Sequence, residues 1–120
     1  ASGEILRIIS RSPTDAQLIQ ILEPASSRAT LMRMLRNLQA IYQNRGDFER
    51  VARSADRILK LVPDQPDALR DRGMAYAELG YAKGARADFT RYLQLRPEAS
   101  DAETVRFGLI ESSIGKTMLN

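Results

Sequence analysis

The feature that most restricts how this chain can fold is an internal repeat. Residues 32–65 laid over residues 66–99 without a gap give eight identities: Leu35/Leu69, Arg36/Arg70, Tyr42/Tyr76, Gly46/Gly80, Arg57/Arg91, Leu59/Leu93, Leu61/Leu95 and Pro63/Pro97. The matched positions are those a helix–turn–helix unit needs. Leu and Tyr seven apart lie on one face of a helix. The glycine follows where a helix stops in a left-handed residue. The leucines belong to the inner face of a second helix, and proline ends the unit because it cannot continue a helix. A unit that cannot bury its apolar face alone must stack on its neighbours, so a solenoid follows.

A period of thirty-four is that of the tetratricopeptide repeat, one helix–turn–helix per unit. The chain therefore reads as all-α: two repeats, residues 32–65 and 66–99, with further helix on either side. Ser12 and Pro13 start a short helix running to about Leu22, within an N-terminal extension of residues 1–25. Ser26 or Ser27 caps the first helix of the domain at 26–120, with Leu31, Met34, Leu35, Leu38, Ile41 and Tyr42 inward and a stop at Gly46. Asp47 caps the next helix, which runs to about Val62 with Val51, Ala55, Ile58 and Leu59 inward. The second repeat places helices from about Pro66 to Leu79 and from about Ala82 to Arg96. Ser100-Asp101-Ala102-Glu103 has the pattern of a capping box. It opens a capping helix over 100–115, with Val105, Leu109 and Ile110 inward. The apolar cluster Ile5, Leu6, Ile8 and Ile9 at the start is compatible with a helical turn, a strand or the tail of a preceding domain.

Composition narrows function mainly by exclusion. The 120 residues contain no Cys and no His. Disulfides, thiolate nucleophiles and Cys- or His-based zinc sites are therefore out of reach. So is the side chain most used for proton transfer near neutral pH. The seven glycines form no phosphate-cradling motif. The reading is of a chain without catalytic machinery and without a cofactor. No run is long and apolar enough for a membrane span, and no secretory signal is visible, so a cytoplasmic setting is expected. The net charge of +3 is concentrated in the first repeat, where seven basic side chains stand against four acidic ones. That excess motivates a weaker alternative, nucleic-acid binding through the Arg-rich first repeat. It falls well short of a dense basic stripe, and Arg50, Arg53 and Arg57 share their helix with interleaved acids.

Three strings carry a more specific likeness: Arg33-Met34-Leu35-Arg36-Asn37-Leu38, Arg70-Asp71-Arg72-Gly73 and Tyr92-Leu93. Over about residues 18–106 the chain resembles the C-terminal tetratricopeptide region of the bacterial SirB-type transglutaminase-like proteins. The resemblance implies a non-catalytic companion to an upstream transglutaminase-like domain. Its catalytic Cys and His have no counterpart in this chain, so no catalytic residue carries over.

In tetratricopeptide arrays an extended segment of a partner lies along the first helices of successive repeats. The corresponding positions here are Arg33, Arg36, Asn37, Ala40, Gln43 and Asn44 in the first repeat. They are Asp67, Arg70, Asp71, Met74, Ala77 and Glu78 in the second, and Asp101, Thr104, Val105 and Gly108 in the capping helix. Arg36 and Arg70 share the fifth position and suggest paired guanidinium forks for a partner carboxylate, with Asn37, Gln43 and Asn44 adding hydrogen bonds. The competing reading pairs Arg70 with Asp67 or Asp71 and leaves Arg36 solvated. Ala40 and Met74 stand where a chaperone-type carboxylate clamp needs Asn, which argues against that clamp. Met32, Met34 and Met74 read either as core filling or as an adaptable apolar surface. Arg72 breaks the repeat, since the first repeat has Leu38 there. A charge on a core-facing position needs a partner, and Asp88 on the following helix is the expected one. Tyr42, Tyr76, Phe48 and Tyr81 are expected to pack.

Overall fold

A computed structural model describes the backbone of residues 27–119 and the side chains of residues 27–114. The short helix expected over 12–22 and the apolar cluster near Ile5 lie outside the described residues. Five helices follow one another: α1 (Arg28–Asn44), α2 (Phe48–Leu61), α3 (Pro66–Glu78), α4 (Ala82–Leu95) and α5 (Ala102–Leu119). Each packs on the next, and α3 also touches α5, so α1, α3 and α5 form one layer of an all-α solenoid and α2 and α4 the other.

Local chemistry sets the boundaries. Ser27, extended at φ −71°, ψ 167°, accepts the Thr30 amide on its hydroxyl and starts α1. Both repeats then use the same stop. Gly46 (φ 69°) and Gly80 (φ 83°) take the left-handed conformation that glycine adopts without penalty. The Asp47 and Tyr81 amides reach back to the carbonyls of Tyr42 and Tyr76, while Gly46 and Gly80 donate to Gln43 and Ala77. This is the paired backbone bonding of a Schellman stop, and it satisfies carbonyls the helix end leaves open. Asp47 caps α2 through its carboxylate, whereas Tyr81 in the same register supplies no side-chain cap to α4. Gln65 caps α3 ahead of Pro66, which occupies the first turn where its missing N–H is harmless.

The core is continuous from end to end. Leu35, Leu38, Tyr42, Val51, Ala55 and Ile58 fill the space within the first repeat, with Ala68 and Ala75 closing on them from α3. Leu69, Ala85, Phe89, Tyr92 and Val105 fill the next interval, and Leu59 and Tyr76 pack against both clusters. Full burial of a side chain the size of Leu or Ile stabilises by about 1.5–3 kcal/mol. That burial, rather than helix propensity, holds the short helices together.

The last helix departs from expectation in three ways. It spans Ala102–Leu119 rather than 100–115, so Gly115 does not end it. Its first backbone bond runs from Val105 to the Asp101 carbonyl. Ser100 stands outside the helix, and the capping box does not form because the helix begins after Asp101, one residue too late for a Ser100 cap, while the Glu103 carboxylate pairs with Arg106. Ile110, expected inward, is 54% exposed, as are Phe107 and Ile114 to similar degree. In the earlier repeats a second helix covers the corresponding face, and none follows α5 among the described residues. Tyr81, also expected to pack, is 54% exposed and touches the fold mainly through its ring, 6.0 Å from that of Tyr76.

Candidate functional site: the groove along α1, α3 and α5

The inner layer encloses a groove of about 730 Å³. Val51 and Phe89, both buried, form its floor together with Val105, and Phe48, Met74 and Phe107 form its apolar walls. Gln43 from α1, Asp71, Ala75, Ala77 and Glu78 from α3, and Thr104, Gly108, Glu111 and Ser112 from α5 complete the lining. Gly108 keeps the floor open: a Cβ there would come within 3.2 Å of the Phe89 ring. The volume falls within the range of pockets that hold a ligand or a partner's side chains.

A smaller depression of about 160 Å³ lies between α1 and α3, lined by Arg36, Gln39, Gln43, Gln65, Asp67, Arg70 and Asp71. It brings Arg36 and Arg70 together, but their states differ. Arg36 is exposed. Arg70 donates from Nε to Asp71 (3.1 Å) and from Nη1 to Asp101 (3.1 Å), with Asp67 Oδ1 at 3.6 Å and the Tyr92 ring at 6.0 Å. Burial disfavours its charge, yet the hydrogen bonds to Asp71 and Asp101 outweigh that and leave its pKa raised. The paired-fork arrangement is therefore half spent, because one fork already holds carboxylates of its own chain.

These bonds extend across the stack. Asp71 also accepts from Gln39 Nε2 at 2.5 Å, tying α3 to α1. Asp101 also accepts from the Tyr92 hydroxyl at 2.5 Å, tying the start of α5 to α4. The Tyr92 hydroxyl, followed by Arg70, holds the Asp101 carboxyl below its ordinary value. Burial is the first cause of the raised Tyr92 pKa, with Asp101 adding to it.

Arg72 faces the other side of α3. Its Nε and Nη2 donate to the two oxygens of Asp88 at 2.7 Å each, and Nη1 donates to Asp56 at 2.8 Å. Asp88 is 4% exposed. The bidentate fork raises the Arg72 pKa, first through Asp88 and then, against burial, through Asp56. One guanidinium thus joins α2, α3 and α4.

The remaining candidates divide. Gln43 and Met74 line the groove, and Met74 is 37% exposed. Arg33, Asn37 and Asn44 are exposed on α1 and line neither depression. Met32 is buried and Met34 half-buried against the core. Seven lining residues were not among the groove positions read from the sequence: Phe48, Val51, Ala75, Phe89, Phe107, Glu111 and Ser112. The last two occupy the twelfth and thirteenth positions of a third repeat, so the same register carried one turn further locates them. Phe48 and Phe107 carry no such signal, because both are positions that a repeat ordinarily buries. Among the described residues no cluster of three acidic side chains stands ready for a metal ion, and no helix is long and apolar enough to cross a membrane.

Stacked helix pairs with a first-helix groove define a helical-repeat scaffold. The tetratricopeptide-repeat family pattern matches residues 38–107, and the chain belongs to that family. It is 55% identical over 101 residues to a UPF0162 protein of Xylella fastidiosa strain 9a5c, covering 84% of this chain and 36% of that protein. It is 26% identical over 95 residues to the UPF0162 protein YchA of Escherichia coli K12, covering 79% of this chain and 35% of the relative. Protein SirB1 of Salmonella typhimurium is 25% identical over 95 residues, again 79% of this chain and 35% of the relative. These relatives bear out the SirB-type likeness of the repeats. The chain spans about a third of the length of the curated relatives it matches.

Proposed function

We propose that this chain is a non-catalytic protein-interaction module that holds a segment of a partner in the groove along α1, α3 and α5. Tetratricopeptide repeats generally mediate contacts between proteins. The observation that carries the reading here is the groove itself. It is about 730 Å³ in volume and apolar at its floor, and all three inner-layer helices contribute to its lining. Two of its walls, Met74 and Phe107, are large apolar side chains left exposed at 37% and 63%. Apolar surface gathered in a concavity marks a contact site more often than the same residues scattered singly. The occupant is a segment of another protein or of the transglutaminase-like domain that the SirB-type likeness implies upstream. Docking of that kind suits a chain matching about a third of each relative.

A photo-crosslinking side chain at Met74 tests this against one at Lys60, which is exposed on α2 in the other layer. In lysate of the source cells, or with the full-length protein, the Met74 probe should yield a discrete protein adduct and the Lys60 probe should not. Equal labelling from both positions sinks the groove reading. An adduct lost to nuclease, with retention falling steeply in salt, would instead favour nucleic acid on the Arg-rich first repeat.

A further inference from the structure

The charges that line the groove are acidic, whereas Arg36 and Arg70 lie at the smaller depression. Two arginines of α3 are consumed. Arg70 is held by Asp71 and Asp101, and Arg72 by Asp88 and Asp56. No Lys or Arg lines the groove, whereas Asp71, Glu78 and Glu111 do. Of these, Asp71 is paired with Arg70 and accepts a hydrogen bond from Gln39. Glu78 on α3 and Glu111 on α5 are exposed and have no ion-pair partner among the described residues. Two uncompensated carboxylates thus share a concavity whose floor and walls are Phe89, Val105, Met74 and Phe107. Like charges beside low-dielectric walls focus a negative potential into the groove.

From this we infer that the groove selects a segment carrying a large apolar side chain flanked by Lys or Arg, and rejects acidic segments. The inference rests on the groove reading above and adds the chemistry of the occupant. The apolar anchor covers Met74 and Phe107 and supplies contact area. The flanking cations meet Glu78 and Glu111, which sets specificity and association rate more than raw affinity. A carboxylate brought to the same place would face two unpaired acids, a juxtaposition that discriminates by repulsion as well as by lost attraction.

The test is selection of a random dodecapeptide display library on the 120-residue chain and on two variants, Glu78→Lys/Glu111→Lys and Met74→Glu. All three substituted positions are solvent-exposed, and circular dichroism checks that the helices persist. The original chain should enrich peptides with Lys or Arg within three positions of Leu, Phe or Met. A synthetic, fluorescein-labelled peptide from that pool should bind at least tenfold more weakly to the Glu78→Lys/Glu111→Lys variant, and more weakly as salt rises. Enrichment of acidic or uncharged peptides overturns the charge inference, as does binding within twofold on the double variant. If Met74→Glu still abolishes binding in that case, the groove reading survives without it. No enrichment on the original chain, or peptide binding indifferent to Met74→Glu, overturns both.

Discussion

Where the first repeat sets Leu38 against Ser54, the second sets Arg72 against Asp88, at the same two positions of the 34-residue frame. In the first repeat this contact between helices is apolar, and the fully buried Ser54 hydroxyl has no hydrogen-bond partner among the described residues. In the second it is a bidentate ion pair, completed by Asp56 from the preceding repeat. A second exchange accompanies it. The first repeat has Gln39 facing the position of Ala55, and the second has Gly73 facing Phe89. The large side chain has moved from one helix to the other, and a Cβ on Gly73 would come 2.7 Å from the Phe89 ring. The difference shows what packing on both sides makes available to α3. Flanked by helices on both sides, α3 can bury charges because carboxylates reach them from α2, α4 and the start of α5. A buried pair of this kind is weak evidence for added stability. Its effect here is to tie α2 and α4 to α3.

Breaking the ion pair should have the largest effect. Asp88→Ala leaves Arg72 half-buried with only Asp56, and a loss of about 2–4 kcal/mol is expected in urea unfolding, since removing one partner of a buried pair strands the other. The Arg72→Leu/Asp88→Ser double variant, which copies the first repeat, should recover most of that loss. A double variant no more stable than Asp88→Ala would show that the two repeats cannot exchange their solutions.

Next is Gly73→Ala, which overpacks the contact with Phe89. Such overpacking costs about 1–3 kcal/mol, against a gain of up to about 1 kcal/mol from better helix propensity. The net expectation is a loss of about 1–2 kcal/mol, relieved in a Phe89→Leu background; an unrelieved loss would place the strain elsewhere.

Asp101→Asn tests the second charge network and its pH dependence. The folded chain holds the Asp101 carboxyl below the ordinary 3.8. As pH falls through that value the unfolded state takes up the proton first, so the contribution is complete above about pH 4 and lost through the lower folded value. The stability gap between the original chain and Asp101→Asn should therefore be about 1 kcal/mol at pH 7, the value of a charge-assisted hydrogen bond discounted for the partial exposure of Asp101. It should close as thermal melts are taken below about pH 4. A gap that persists at low pH would mean the effect is packing rather than charge.

The smallest effect is expected at Ser54→Ala. Removing a buried hydroxyl without a partner should leave stability within about 0.5 kcal/mol or raise it slightly, because no bond is lost and no polar group is left buried. A loss above 1 kcal/mol would reveal a hydrogen bond the static geometry does not display.

Much of the fold was legible because its signals are local. The glycine stops, Asp47 as a cap and Pro66 at a first turn each act within a few residues, and the apolar spacing of Leu35, Leu38 and Tyr42 follows from 3.6 residues per turn. The same register found Gln43, Asp71, Met74, Glu78, Thr104 and Gly108 on the groove. It erred at α5, where Ser100 to Glu103 have a capping pattern but the helix begins one residue later, after Asp101. It erred again with Ile110, whose inward place needs a covering helix that is not among the described residues.

The sequence by itself determined the period, the helices, their stops and the face each presents, because those depend on spacing along one chain. Only the tertiary structure decided what the charges do. Arg36 and Arg70 occupy one register position and read alike in sequence, yet one is exposed and the other is bound to acids up to 31 residues away. A long arginine side chain can reach several carboxylates. Which of them it meets depends on how neighbouring helices stack, and that choice left Arg70 held by carboxylates of its own chain.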